Sequence, residues 1–146
     1  MHDLRIASSL KVCLSKLLPR YPVKLAYLFG SAATGKTTPL SDVDIALVLL
    51  DEKVDPGKLL LMELQLEEEI SRHCEIEEVD VRIINAAPLM IRGEVVIHGI
   101  LLYSPDEDFR IQFETTTRSA YFDFLPVAAM IQQEYFDRLY ERGLNG

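Results

Sequence analysis

The sequence predicts an α+β (α/β-like) fold: a small mixed β-sheet packed with helices and extended by a helical carboxy-terminal tail. Three observations carry this prediction. Apolar runs of strand length alternate with stretches whose hydrophobic residues recur at helical spacing, the 146 residues are the size of one ordinary domain, and no Gly-, Pro- or Ser-rich linker divides them. A single domain is therefore expected, with a core over about residues 23–105 and a helical segment over about 106–144.

The first element is an amphipathic helix, with Ile6, Leu10, Cys13 or Leu14, and Leu17 on one face, ending near Pro22. Charges interrupt it throughout, which suits neither a signal peptide nor a membrane-spanning helix, so the cytoplasm is the expected location. "VKLAYLFG" is a nearly continuous apolar run stopped at Gly30, the pattern of a strand covered on both faces. The segment from Ser31 to Pro39 is expected to hold a short helix or turn, and "SDVDIALVLL" is a second buried strand. Leu59, Met62, Leu66 and Ile70 share a helical face, with Glu67, Glu68 and Glu69 on the solvated side. "EEVDVRIIN" alternates Val79, Val81 and Ile83 as a third strand, Pro88 to His98 reads as a helix, and "GILLY" is a short further strand. In the tail, Phe124, Ala128, Ile131, Tyr135 and Leu139 form a stripe, and Pro126 is expected to bend the helix or start a fresh one. The tail's aromatic residues are most simply core packing, with a partner-binding patch as the alternative for Tyr121 to Phe124 and Tyr135 to Tyr140.

Composition narrows the function. A formal charge of −8 argues against direct nucleic-acid binding, which needs clustered Lys and Arg facing phosphates. Cys13 and Cys74 lie far apart without a CxxC, so neither a disulfide nor a zinc site is expected and both read as reduced core thiols.

The chemistry concentrates in "LFGSAATGKTTPLSDVDIALVLL", Leu28 to Leu50. In a strand, Asp42 and Asp44 project to the same face while Val43 and Ile45 turn to the other. Adjacent buried carboxylates repel unless a cation sits between them, and Mg²⁺ is held by one or two carboxylates while taking further ligands from substrate phosphates. Gly30 lets the backbone approach a ligand, and the N–H groups that follow, with the Ser31 hydroxyl, suit an anion. Asp80 is a charge within an apolar strand, and an adjacent strand would bring it beside Asp42 and Asp44. Three carboxylates can hold two Mg²⁺ ions, the arrangement that serves nucleotidyl transfer.

Gly30-Ser31, ten intervening residues, then Asp42-Val43-Asp44 resembles the GSx10DxD signature of the minimal nucleotidyltransferases of the DNA polymerase β-like superfamily, and Asp80 matches the position of their third catalytic aspartate. Within that group the chain is similar to the antitoxin half of HEPN/MNT toxin–antitoxin modules. The resemblance implies a nucleotidyltransferase-type core that takes ATP, binds a HEPN ribonuclease toxin and transfers AMP to one of its tyrosines. It implies that Asp42, Asp44 and Asp80 hold the metal, that Asp80 also helps to deprotonate the acceptor, and that Gly30 and Ser31 hold the triphosphate. Where many relatives carry an arginine, Ala32 and Ala33 stand, leaving Lys36 as the nearest cation for phosphate. Two other functions fit the residues: a nucleotidyltransferase acting on a small molecule such as an aminoglycoside, and an antitoxin that silences its toxin by contact alone.

Overall fold

The structure is a computed structural model that describes residues 2–30, 43–51 and 53–145. The order is α1 (His2–Leu17), a 3₁₀ turn (Leu18–Arg20), β1 (Val23–Phe29), β2 (Val43–Leu49), α2 (Pro56–His73), β3 (Val79–Ile83), α3 (Leu89–His98), β4 (Ile100–Tyr103) and α4 (Glu107–Asn145). The described strands form a four-stranded sheet in the order β3-β2-β1-β4. β1 pairs antiparallel with β2 and with β4, while β2 and β3 run parallel, so the sheet is mixed.

Alternation along β2 explains the layering. Val43, Ile45, Leu47 and Leu49 join Leu10 and Leu14 of α1 and Leu66 and Ile70 of α2 in one core. Ala46 and Val48 join Leu25 and Tyr27 of β1, Ile84 and Val95 in a second core on the other face, with Phe109 and Phe113 of α4 packed against it. Both faces of the central strands are thus covered, which is why they read as continuous apolar runs.

Polar groups fix the edges. Asp55 caps α2 by accepting from the Gly57 and Lys58 N–H groups at 3.1 and 3.3 Å, with Pro56 in the first turn. The outer edge of β3 meets carboxylates, not water alone: Val81 N–H donates to Glu67 at 3.0 Å and Ile83 N–H to Glu63 at 2.8 Å. Tyr21 donates to Glu69 at 2.6 Å. The acidic face of α2, expected to be solvated, is therefore partly a structural one, because an edge strand offers N–H donors that carboxylates one helix away can reach. Tyr27, 2% exposed, donates to Glu114 of α4 at 2.7 Å, and burial followed by that bond holds its hydroxyl well above the usual phenol range.

Three expectations are corrected. Cys13 and Cys74 form a disulfide, with Cα atoms 5.8 Å apart: the packing of α1 against α2 brings together two residues 61 positions apart, a proximity that spacing in sequence does not show. Pro126 lies inside an unbroken 39-residue α4 and starts no fresh helix. The missing N–H costs one helical bond, and the helix continues on both sides of it. Beyond the buried Tyr121 the tail's aromatics are not core: Phe124 is half-buried, and Phe122, Tyr135, Phe136 and Tyr140 are exposed, as α4 runs on past the sheet.

Because the disulfide restrains a long loop in the unfolded chain, the Cys13→Ser/Cys74→Ser variant is expected to lose about 4 kcal/mol of stability. Urea unfolding of oxidised and variant protein measures this, and equal midpoints would show that the bond does not restrain the chain.

Candidate active site

β1, β2 and β3 bring three side chains into one row. Phe29 pairs with Asp44, and Asp44 with Asp80, so residues from three adjacent strands share one face at the same end of the sheet. Neighbouring strands lie about 4.8 Å apart, which makes Asp44 and Asp80 side-by-side carboxylates. One row further along, Tyr27 pairs with Ala46 and Ala46 with Arg82. Arg82 therefore shares the face of Asp80, and its Nε lies 3.3 Å from Asp80 Oδ2.

Gly30 ends β1 beside this row. Its φ of +75° is a left-handed conformation that side chains rarely adopt, and a Cβ built there would lie 2.6 Å from Asp44 Oδ2. The backbone thus requires glycine, and any side chain there would also displace the carboxylate resting against it. Two neighbouring carboxylates against a bare backbone turn form a hard-oxygen donor set suited to Mg²⁺.

Asp44, Asp80 and Gly30 are brought together as the sequence leads one to expect. Asp42, Ser31 and Lys36, together with the turn expected from Ser31 to Pro39, lie outside the described residues. Arg82 was missed by sequence reasoning, although its place two residues after Asp80 put it on the same strand face. Also unforeseen is a pair on α3: Glu94 accepts from the Tyr121 hydroxyl at 2.6 Å and lies 3.4 Å from His98 Nε2. That bond, then burial, pushes the Tyr121 hydroxyl upward. The pair borders a cavity of about 420 Å³ that reaches Phe29 and Gly30.

A family model described as polymerase beta, nucleotidyltransferase, matches residues 13–108, a span that contains the whole of this row. The chain belongs to this family. No curated protein matches its sequence. Among solved structures, this nucleotidyltransferase is similar to a chain from a toxin–antitoxin with AMP-PNP, at 24% identity and a TM-score of 0.67 over 86% of this chain and 98% of that one. It is also similar to a chain from a complex of a tri-AMPylated Shewanella oneidensis HEPN toxin with MNT antitoxin, at 22% identity and a TM-score of 0.64 over 89% and 98%. A third match is to a chain of the MntA-HepT toxin–antitoxin, at 21% identity and a TM-score of 0.61 over 91% and 98%. At these identities the likeness is one of fold. No described helix of this nucleotidyltransferase is long and apolar enough to cross a membrane.

Gly30→Ala is expected to destabilise the protein by about 1–3 kcal/mol through backbone strain, with the Asp44 contact adding to it. Chemical denaturation compares it with the parent, and an unchanged stability would mean that Gly30 is not held in the left-handed conformation.

Proposed function

We propose that the chain is an antitoxin that transfers AMP from ATP to a tyrosine hydroxyl of a cognate HEPN ribonuclease toxin and so inactivates it. The observation that carries this reading is the pairing of Asp44 with Asp80 beside the Gly30 turn, within a chain of the polymerase beta nucleotidyltransferase family. The solved toxin–antitoxin complexes of the same fold, one with AMP-PNP and one with an AMPylated HEPN toxin, support the choice of donor and acceptor.

In this reading Asp42, Asp44 and Asp80 hold Mg²⁺, two ions in the full site, which when bound neutralise the charge of the triphosphate. Gly30 and Ser31 offer backbone and hydroxyl donors to the phosphates, and Lys36 adds a cation. The tyrosine oxygen attacks the α-phosphorus, forming a P–O bond as the bond to the bridging oxygen breaks and pyrophosphate leaves. The tyrosine proton passes to Asp80, whose carboxylate Arg82 orients from 3.3 Å. The exposed Tyr135, Phe136 and Tyr140 of α4 supply an apolar surface for the protein partner. One domain and a cytoplasmic location, where ATP is supplied, belong to the same proposal.

A second reading, an antitoxin that acts by contact alone, draws on that same exposed surface. Incubating the protein with Mg²⁺, ATP labelled in the α-phosphate and a cognate HEPN protein is expected to label the partner. Asp44→Asn is expected to slow labelling by at least roughly 100-fold, the upper end of what losing even an outer-shell group costs a metal site. Labelling at the parent rate would reject the mechanism, and a toxin silenced without label would favour contact alone.

A further inference from the structure

The cavity beside Gly30 has a chemistry of its own. It starts where the Asp80–Asp44–Phe29 row ends, and Gly30 belongs both to its wall and to the contact with Asp44. Phe29, Ile91 and Val95 give it an aromatic and aliphatic lining, and Glu94 and His98, one turn apart on α3, stand at its border. Among the described residues no Lys or Arg lines it. An apolar cleft bordered by a carboxylate disfavours a triphosphate, which carries the same sign of charge, and favours a flat, uncharged ring with hydrogen-bond donors on its edge. The Tyr121 hydroxyl, on a side chain 5% exposed, bonds one Glu94 oxygen and so restrains the carboxylate that the ring would meet.

Resting on the reading of this site as nucleotidyl transfer, we infer that the cavity seats the nucleobase of the donor nucleotide, with Phe29, Ile91 and Val95 against the ring and Glu94 accepting from the 6-amino group of adenine. Glu94 is then a specificity-determining residue. A 6-oxo purine presents a carbonyl to the carboxylate, and the two oxygens repel. His98 stands beside Glu94 as a donor for a ring nitrogen. The catalytic row is flanked accordingly, with the base on the β1 side and the acceptor on the β3 side.

The experiment uses ligand-induced shifts in melting temperature with Mg²⁺, comparing AMP-PNP, its hypoxanthine counterpart and inorganic tripolyphosphate, which has no base. Ile91 is 47% exposed, so Ile91→Trp can fill the cavity without disturbing the cores. It is expected to lose most of the AMP-PNP shift and keep the tripolyphosphate shift. Glu94→Gln, whose amide carbonyl still accepts from Tyr121, is expected to narrow the preference for the 6-amino over the 6-oxo ligand by roughly tenfold, about one hydrogen bond. Parent-like shifts for AMP-PNP in Ile91→Trp, or an unchanged base preference in Glu94→Gln, would overturn the inference. If the parent responds to no phosphate ligand, the reading of the site fails and takes the inference with it. If the parent responds and Asp44→Asn does not, the site stands and the two α3 variants alone decide about the base.

Discussion

The parallel pairing of β2 with β3 is the constraint on which the site depends, because it sets Asp44 opposite Asp80. A slip of one residue would turn Asp80 and Arg82 toward α2 and bring Val79 and Val81 out, so the register is fixed by burial on one face and chemistry on the other. Several contacts defend it. Glu63 and Glu67 hold the outer N–H groups of β3, and the Asn85 side chain both accepts from Leu49 N–H at 2.8 Å and donates to Leu49 C=O at 2.9 Å just past the strand. The acidic helix α2 thereby serves the placement of the Asp80 carboxylate.

The same face is organised from the other side by α3 and α4. Gly93 of α3 lies under Tyr121 so closely that a Cβ there would sit 2.0 Å from the ring, and the Tyr121 hydroxyl then reaches Glu94. Tyr27 ties β1 to Glu114, which Arg110 also contacts at 2.9 Å. These part-buried phenol–carboxylate bonds tie α4 to β1 and to α3, and among the described residues no Lys or Arg lines the cleft beside Gly30. Electrostatics and packing thus agree: the carboxylate row is suited to a hard cation, and the space next to it is suited to an uncharged ring.

Much of this was legible in the sequence, for physical reasons. The period of two in "SDVDIALVLL" and "EEVDVRII" assigns each aspartate to a face, and continuous apolar runs mark strands covered on both sides. What stayed hidden depends on contacts between distant elements. The Cys13–Cys74 bond joins the packed ends of α1 and α2, and Glu67 looked solvated because the helix period cannot show an edge strand waiting beside it. Arg82 was visible as a residue but not as a partner of Asp80. The aromatic stripe after Tyr121 has helical spacing whether or not anything covers it, so periodicity could not tell core from surface.

The proposed site stands on two carboxylates from adjacent strands sharing one ligand. Mn²⁺ binding followed by electron paramagnetic resonance in the presence of AMP-PNP tests this most directly, comparing the parent with Asp80→Asn. Removing one of the paired carboxylates is expected to weaken Mn²⁺ by roughly 10- to 100-fold. Equal affinity in the two proteins would mean that Asp80 takes no part in the site, and the pairing of β2 with β3 would then be architecture alone.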